Sequence, residues 1–304
     1  MSGRRGRRPF VVESILALLI LNAGLAAAQA PSTPQRIEFD RPEAWAMKYF
    51  TSASLLVAPS VPSAGLSRVR LGLDVVALPP LSTAQQRVGF NGTAQEDLNQ
   101  APVFVRPRLE LLLSDKWTLV AAGVPPVRAF GITPRLFAMG VAFYASRGPA
   151  WTVSAFGHGQ IGDVSGAITC PADVLRFSPG SEGNPRGCDK TSADATTLRY
   201  ASIEVDVDRS LSQTGRWSAH SSAGVNLMDN VFQTNAQTFG FTDRTELASR
   251  GLTYDASLGV RYAVGRFELG GDVLYAPLTI RRPSEAASIT SLLTVRSVVM
   301  YRVR

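Results

Sequence analysis

The stretch Leu252-Thr253-Tyr254-Asp255-Ala256-Ser257-Leu258-Gly259-Val260-Arg261-Tyr262 decides the fold. From Leu252 onward every second residue is apolar or aromatic, and the residues between them are Thr, Asp, Ser, Gly and Arg. Successive side chains of a strand point to opposite faces, so this period of two describes a strand with one greasy and one polar face. Strands of soluble proteins usually run about five or six residues, whereas a tilted strand crossing a bilayer needs about nine to eleven. The pattern recurs along the chain. Val69, Leu71, Leu73, Val75 and Ala77 oppose Arg68, Arg70, Gly72 and Asp74; Val103, Val105, Leu109, Leu111 and Leu113 oppose Arg106, Arg108 and Glu110; Ile203, Val205 and Val207 oppose Glu204, Asp206 and Asp208. A soluble sandwich or lipocalin-like barrel alternates too, but in shorter strands.

The connections come in two sizes. Ser114-Asp115-Lys116, Arg147-Gly148-Pro149-Ala150, Ser212-Gln213-Thr214-Gly215-Arg216 and Val264-Gly265-Arg266 are tight turns. Between them lie longer, polar, Pro/Gly-rich segments at 79–100, 125–133, 163–195, 228–250 and 281–288. Short and long alternate without a break, as in barrels with short turns at one rim and long loops at the other. Ten strands follow: 66–78, 102–113, 117–124, 134–146, 151–163, 196–209, 217–228, 251–263, 267–280 and 290–303, with twelve as the alternative. Trp117, Trp151 and Trp217 each begin a strand directly after a short turn, and Phe267 holds the equivalent place after the fourth. With Tyr262 and Tyr301 they form a row at one end, where an indole or phenol prefers a membrane–water interface.

Only 18% of the 304 residues are charged while 45% are hydrophobic, against about 25% charged in an ordinary soluble protein. The first thirty residues read as an export signal: Arg4, Arg5, Arg7 and Arg8, then the apolar Ile15–Leu21, then Ala26-Ala27-Ala28-Gln29-Ala30 for cleavage after Ala28 or Ala30. Arg7-Arg8-Pro9-Phe10 also fits a twin-arginine signal, a match that any arginine-rich start produces by accident. Removing the segment lowers the net charge from +7 to +4, so the basic balance gives no ground for a nucleic-acid partner. In an exported chain Cys170 and Cys188 read as a disulfide. Residues 31–65 form a separate N-terminal segment. Asp40 and Glu43 around Pro42 suggest a capped helix over Arg41–Phe50, and Thr51–Ala58 reads as an extended stretch or an extra strand. The segment is expected to cap or enter a lumen.

With these features the chain, from Leu66 to Arg304, resembles the Gram-negative outer-membrane β-barrel proteins, in pattern rather than by a diagnostic motif. The resemblance implies an all-β antiparallel transmembrane barrel, outer-membrane lipids as its surroundings, the barrel-assembly machinery as a partner during biogenesis, and a monomer. The class usually ends in a strand with a terminal aromatic. Here Val295, Val299, Tyr301 and Val303 alternate as required, but the last residue is Arg304.

The polar face would then line the lumen with Arg68, Arg70, Asp74, Arg106, Arg108, Glu110, Arg261, Glu268, Asp272 and Arg296, a charge network that either fills the barrel or borders a thin, porin-like pore. A hydrolase is the alternative. His158, Glu204, Asp206 and His220 face inward on three consecutive strands, and counting from the turn sets His220 opposite Val205, diagonal to Glu204 and Asp206 and on the same strand as Ser218 and Ser222. No nucleophile motif accompanies them, and no cofactor or metal motif is present. A third reading is surface recognition by Val88-Gly89-Phe90-Asn91-Gly92 and Phe239-Gly240-Phe241-Thr242, aromatics expected chiefly to pack over the mouth.

Overall fold

The structure is a computed structural model that describes residues 34–61, 68–148 and 150–303. The export signal, Leu66, Pro149 and Arg304 lie outside the described residues. Ten strands form the wall: β1 (Val69–Ala77), β2 (Val103–Ser114), β3 (Trp117–Val124), β4 (Ile132–Arg147), β5 (Trp151–Gly166), β6 (Tyr200–Ser210), β7 (Trp217–Gln233), β8 (Glu246–Val264), β9 (Phe267–Ala276) and β10 (Leu292–Arg302). Each pairs antiparallel with the next, and β10 pairs back onto β1 from Arg296↔Val76 to Arg302↔Arg70. The ring is closed with ten strands, not twelve. Two short pieces, Gln35–Arg36 and Asp194–Thr197, add pairing at the long-loop rim without entering the ring.

Where strand limits differ from the sequence reading, a local cause is visible. The stretch read as 196–209 breaks at Leu198 and Arg199, where Asn230 Oδ1 captures the Arg199 amide at 3.1 Å in place of a ladder bond. The stretch read as 267–280 stops at Ala276 because Pro277 has no N–H to donate. Thr279–Ile280 then pairs with Ser288–Ile289 as a small hairpin above the rim.

The outer face of the ring is the apolar one. Ile203, Leu258 and Leu293 are 70%, 67% and 60% exposed, while the alternate positions are buried. A wall that shows such residues outward and buries charge inward is built for hydrocarbon, not water. At the short-turn rim the aromatic row is a set of cross-strand pairs: Trp117 with Phe143, Trp217 with Tyr262, and Phe267 with Tyr301 at ring separations of 4.7, 4.5 and 5.2 Å. Trp151 carries the Arg209 guanidinium over its ring at 5.0 Å.

The N-terminal segment runs inside the ring. It starts at the long-loop rim, where Gln35 and Arg36 pair with Leu247 and Ala248 of β8. Helix α1 (Pro42–Ala53) follows, ending three residues later than expected and with Pro42 in its first turn. The expected capping box does not form. Glu43 instead accepts from Arg41 Nη2 at 2.9 Å and from the Asn91 amide at 2.6 Å, and Asp40 pairs with Arg281 at 3.2 Å. Every residue of α1 except Phe50 is buried, so this short, weakly amphipathic helix is held by its surroundings rather than by propensity. Trp45 Nε1 donates to the Thr290 carbonyl at 3.1 Å, Lys48 Nζ to Thr279 at 2.8 Å and the Tyr49 hydroxyl to Pro79 at 2.9 Å. Trp45, Tyr49 and Ala53 pack with Leu81, Val88, Leu278 and Ile280 of the long loops.

Candidate functional site

From Ser54 to Val61 the chain descends the lumen without a strand partner, and lumen side chains take over its backbone groups. Arg106 Nη1 donates to the Ser54 carbonyl at 2.9 Å, and the Leu56 amide donates to the Tyr200 hydroxyl at 3.0 Å. Arg261 Nη2 donates to the Ala58 carbonyl at 3.1 Å. The Ser60 carbonyl accepts from Arg70 Nη2 and from the Tyr144 hydroxyl, both at 3.0 Å, and the Ser60 hydroxyl accepts from Arg70 Nη1. Arg70 and Tyr144 stand near the short-turn rim, so the segment passes down most of the barrel. Leu56 and Ala58 fit because the wall facing them is small: Ala122, Ala138 and Ala142, with Val120, Tyr144 and Phe156 around them.

Buried ion pairs of the strand interior pack against this segment. Arg106 and Arg108 share Asp74, at 2.9 and 3.4 Å; Arg108 and Arg70 share Glu110, at 2.8 and 2.5 Å. Arg70 also reaches Glu268 at 3.6 Å, Arg261 pairs with Asp208 at 2.6 Å, and Arg296 with Asp272 at 2.7 Å. Planar, weakly hydrated guanidinium groups can bridge two carboxylates and still reach a backbone carbonyl, which fits arginine to these positions on the inner face of the wall. Arg68 is the exception. It is exposed just before β1 and stands apart from the buried pairs, because it lies below the first ladder rung with β2.

The histidines sit elsewhere than counting from the turn suggested. His220 lies opposite Asp208, not Val205, and Ser222 lies opposite Asp206, because the β6–β7 ladder begins directly at Ser210↔Ser218. His220 Nε2 is 3.5 Å from Asp272 on β9, and His158 Nε2 is 3.6 Å from Glu204. His158 Nδ1 is 3.3 Å from the Tyr200 hydroxyl and its ring stacks on Phe156. The Ser222 hydroxyl bonds to Ser257 at 2.8 Å. A nucleophile needs a base within hydrogen-bond reach, and the carboxylate–histidine pairs here end on Tyr200 and Arg296 rather than on a serine. Asp206 is buried with neither carboxylate oxygen hydrogen-bonded. The space beside His220 and Arg261 is about 10 Å³, room for one water.

Above the filled part is a cavity of about 730 Å³, within the usual range of small-molecule sites of about 300–1,000 Å³. Met47 and Phe50 of α1 line it together with Leu98, Phe104, Leu136 and Leu198; Glu43, Glu96, Asp97 and Gln100 stand toward the long loops. Burial raises the Glu96 carboxyl to about 7, against the opposing pull of Arg186 at 2.6 Å. The sequence reading missed this cavity. Its lining comes from many separate stretches of chain, and the one available signal was the apolar Ala46-Met47 and Phe50 in a segment expected to cap or enter the lumen.

Cys170 and Cys188 form a disulfide inside the long loop between β5 and β6. Asn184 braces it, accepting from the Cys188 amide at 2.8 Å and donating to the Cys188 carbonyl at 3.0 Å. The loop aromatics do less mouth packing than expected: Phe90, Phe239 and Phe241 all remain largely exposed, the first two held at positive φ.

Ring closure, an apolar outer face and a charged interior define the class as an antiparallel transmembrane β-barrel, and the chain resembles the outer-membrane proteins of Gram-negative bacteria. No family model matches the chain, and no curated protein matches it. Among solved structures, the outer-membrane protease OmpT of Escherichia coli is 8% identical over 78% of this chain and 94% of its own, with a TM-score of 0.39. The attachment invasion locus protein Ail of Yersinia pestis is 8% identical over 78% and 99%, with a TM-score of 0.27, and LpxR of Salmonella typhimurium 9% over 77% and 100%, with 0.32. Their functions differ, and at such scores the barrel assignment rests on the closed ladder itself.

Proposed function

We propose that the protein is a monomeric outer-membrane barrel whose own N-terminal segment keeps the lumen shut, so that it serves as a closed, structural barrel rather than as a passive diffusion pore. The long loops face the exterior, the short turns face the periplasm, outer-membrane lipids surround the wall, and the barrel-assembly machinery inserts it. The observation that carries this reading is the descent of Ser54–Val61 through the ring with Arg70, Arg106, Arg261, Tyr144 and Tyr200 bonded to its backbone. Polar backbone at membrane depth is tolerated where it is buried in protein, and each of these bonds replaces water that an open channel would hold.

Planar-bilayer recording tests it. The full chain is expected to insert and give no unit conductance steps, while a chain lacking residues 34–61, checked for heat-modifiable migration on gels, is expected to conduct. Regular steps from the full chain would overturn the closed barrel, and recovery in the soluble fraction would overturn the membrane location.

A further inference from the structure

The cavity above the plug has a side wall that is not continuous. The β2–β3 ladder runs from Ser114↔Trp117 to Arg108↔Ala122 and goes no further, although β2 continues to Val103 and β3 to Val124. On its other side β2 remains paired with β1 up to Val103↔Ala77. Residues 103–107 therefore have a strand neighbour on one side only. Prolines mark both sides of the break, Pro107 on β2 and Pro125-Pro126 after β3, and none has an N–H to extend the ladder.

The break lies at membrane depth. Ala122 is five residues beyond the interfacial Trp117, which at about 3.3 Å per residue and a tilt of about 40° is ~13 Å up an apolar band ~25 Å tall. Bare backbone edges in hydrocarbon are costly, so a seam at this depth is a departure from the closed wall that the rest of the ladder keeps. The cavity lining spans it. Besides the interior Phe50 and Leu198, the cavity touches Val105, Pro107 and Val124 at the seam and Leu73 beside it on β1, and Leu73, Val105 and Pro107 point out of the barrel.

We propose that this cavity takes an acyl chain of a bilayer lipid, admitted sideways through the seam between β2 and β3. The occupant follows from the geometry: the opening faces lipid tails rather than water, the lining along the path is aliphatic and aromatic, and the carboxylates stand at the far, loop-side end. An alkyl chain entering there fills the apolar space between Phe50, Leu136 and Leu198. The proposal rests on the membrane-spanning reading and adds a ligand that a closed barrel alone does not require.

Photo-crosslinking of the full chain in phospholipid vesicles tests it, with a trace phosphatidylcholine bearing a diazirine near the end of one acyl chain. Adducts are mapped by mass spectrometry. Labelling of Phe50 and Leu198 inside, along with Leu73 and Val105 outside, is the expected result. Ala53→Trp, filling the cavity from α1, and Leu98→Trp, filling it from a loop, should each abolish the inner adducts and leave the outer ones. Outer adducts alone in the unaltered chain, or inner adducts that survive both fillers, overturn the proposal. A second arm supplies a diazirine-bearing alkyl alcohol from the aqueous side of probe-free vesicles; inner labelling in that arm only would mean entry through the mouth and overturn sideways admission. Absence of labelling at Leu73 and Val105 would sink the membrane-spanning reading as well.

Discussion

Arg106 shows what a single lumen residue does. It is fully buried, pairs with Asp74, and donates to the Ser54 carbonyl where the chain leaves α1. Removing one member of a buried pair strands the other, so Arg106→Met is expected to cost about 3 kcal/mol, at the low end of such losses because Arg108 also reaches Asp74. The urea midpoint of the folded barrel in vesicles measures this; an unchanged midpoint would mean that Arg108 alone neutralises Asp74. That Arg106 faces inward was legible from alternation, since its neighbours Val105 and Pro107 are outward. Its partner was not, because cross-strand register depends on turn geometry that composition leaves open. The same ambiguity displaced His220 by three positions along β6. A carboxylate–histidine pair read from one hairpin thus turned out to be His220 with Asp272, two strands further round the ring across Gly259 of β8.

Among the elements, α1 was only half readable. Pro42 announced its start, but nothing local announced that eleven of its twelve residues are buried, since its environment is the inside of a barrel assembled from distant strands. Lys48 records that environment. Burial lowers its ammonium from about 10.5 to about 8, with Asp40 pulling the other way, while Nζ donates to Thr279 and sits 4.4 Å above the Phe39 ring. Between about pH 8 and pH 10.5 the unfolded chain holds this proton more tightly than the folded one. Stability therefore rises with pH across that window, and the full penalty is felt below it. Urea midpoints across the window should slope upward in the unaltered chain and lie flatter in Lys48→Met; equal slopes would place the titration on another group. The wall strands, by contrast, were legible almost residue by residue, because lipid outside and charge inside impose opposite demands on alternate positions. Breaks came where a proline or a side-chain amide substitutes for a ladder bond, as at Pro277 and Asn230.

At the scale of the molecule, the count of ten strands and the alternation of short and long connections could be read from the chain; that the N-terminal segment caps or enters the lumen was expected, but its course through the lumen was not legible. A lumen-filling segment carries no periodicity of its own; its sequence reads as a short helix and a few polar and apolar residues. That path changes the topology. Ten strands bring β1 and β10 to begin and end at the same rim, which by itself would leave both sides of the barrel chain on one side of the membrane. Gln35, however, is exposed at the opposite rim, and the descent through the lumen is an additional passage. In intact cells an antibody should therefore reach an epitope inserted at Gln35 and miss one inserted at Gly265 in the β8–β9 turn; the reverse pattern would invert the orientation. Counted as passages of the polypeptide, the fold makes an odd number of crossings with an even number of strands. In the proposed orientation Gln35 therefore stands at the outer rim, while the end of β10 lies at the periplasmic one.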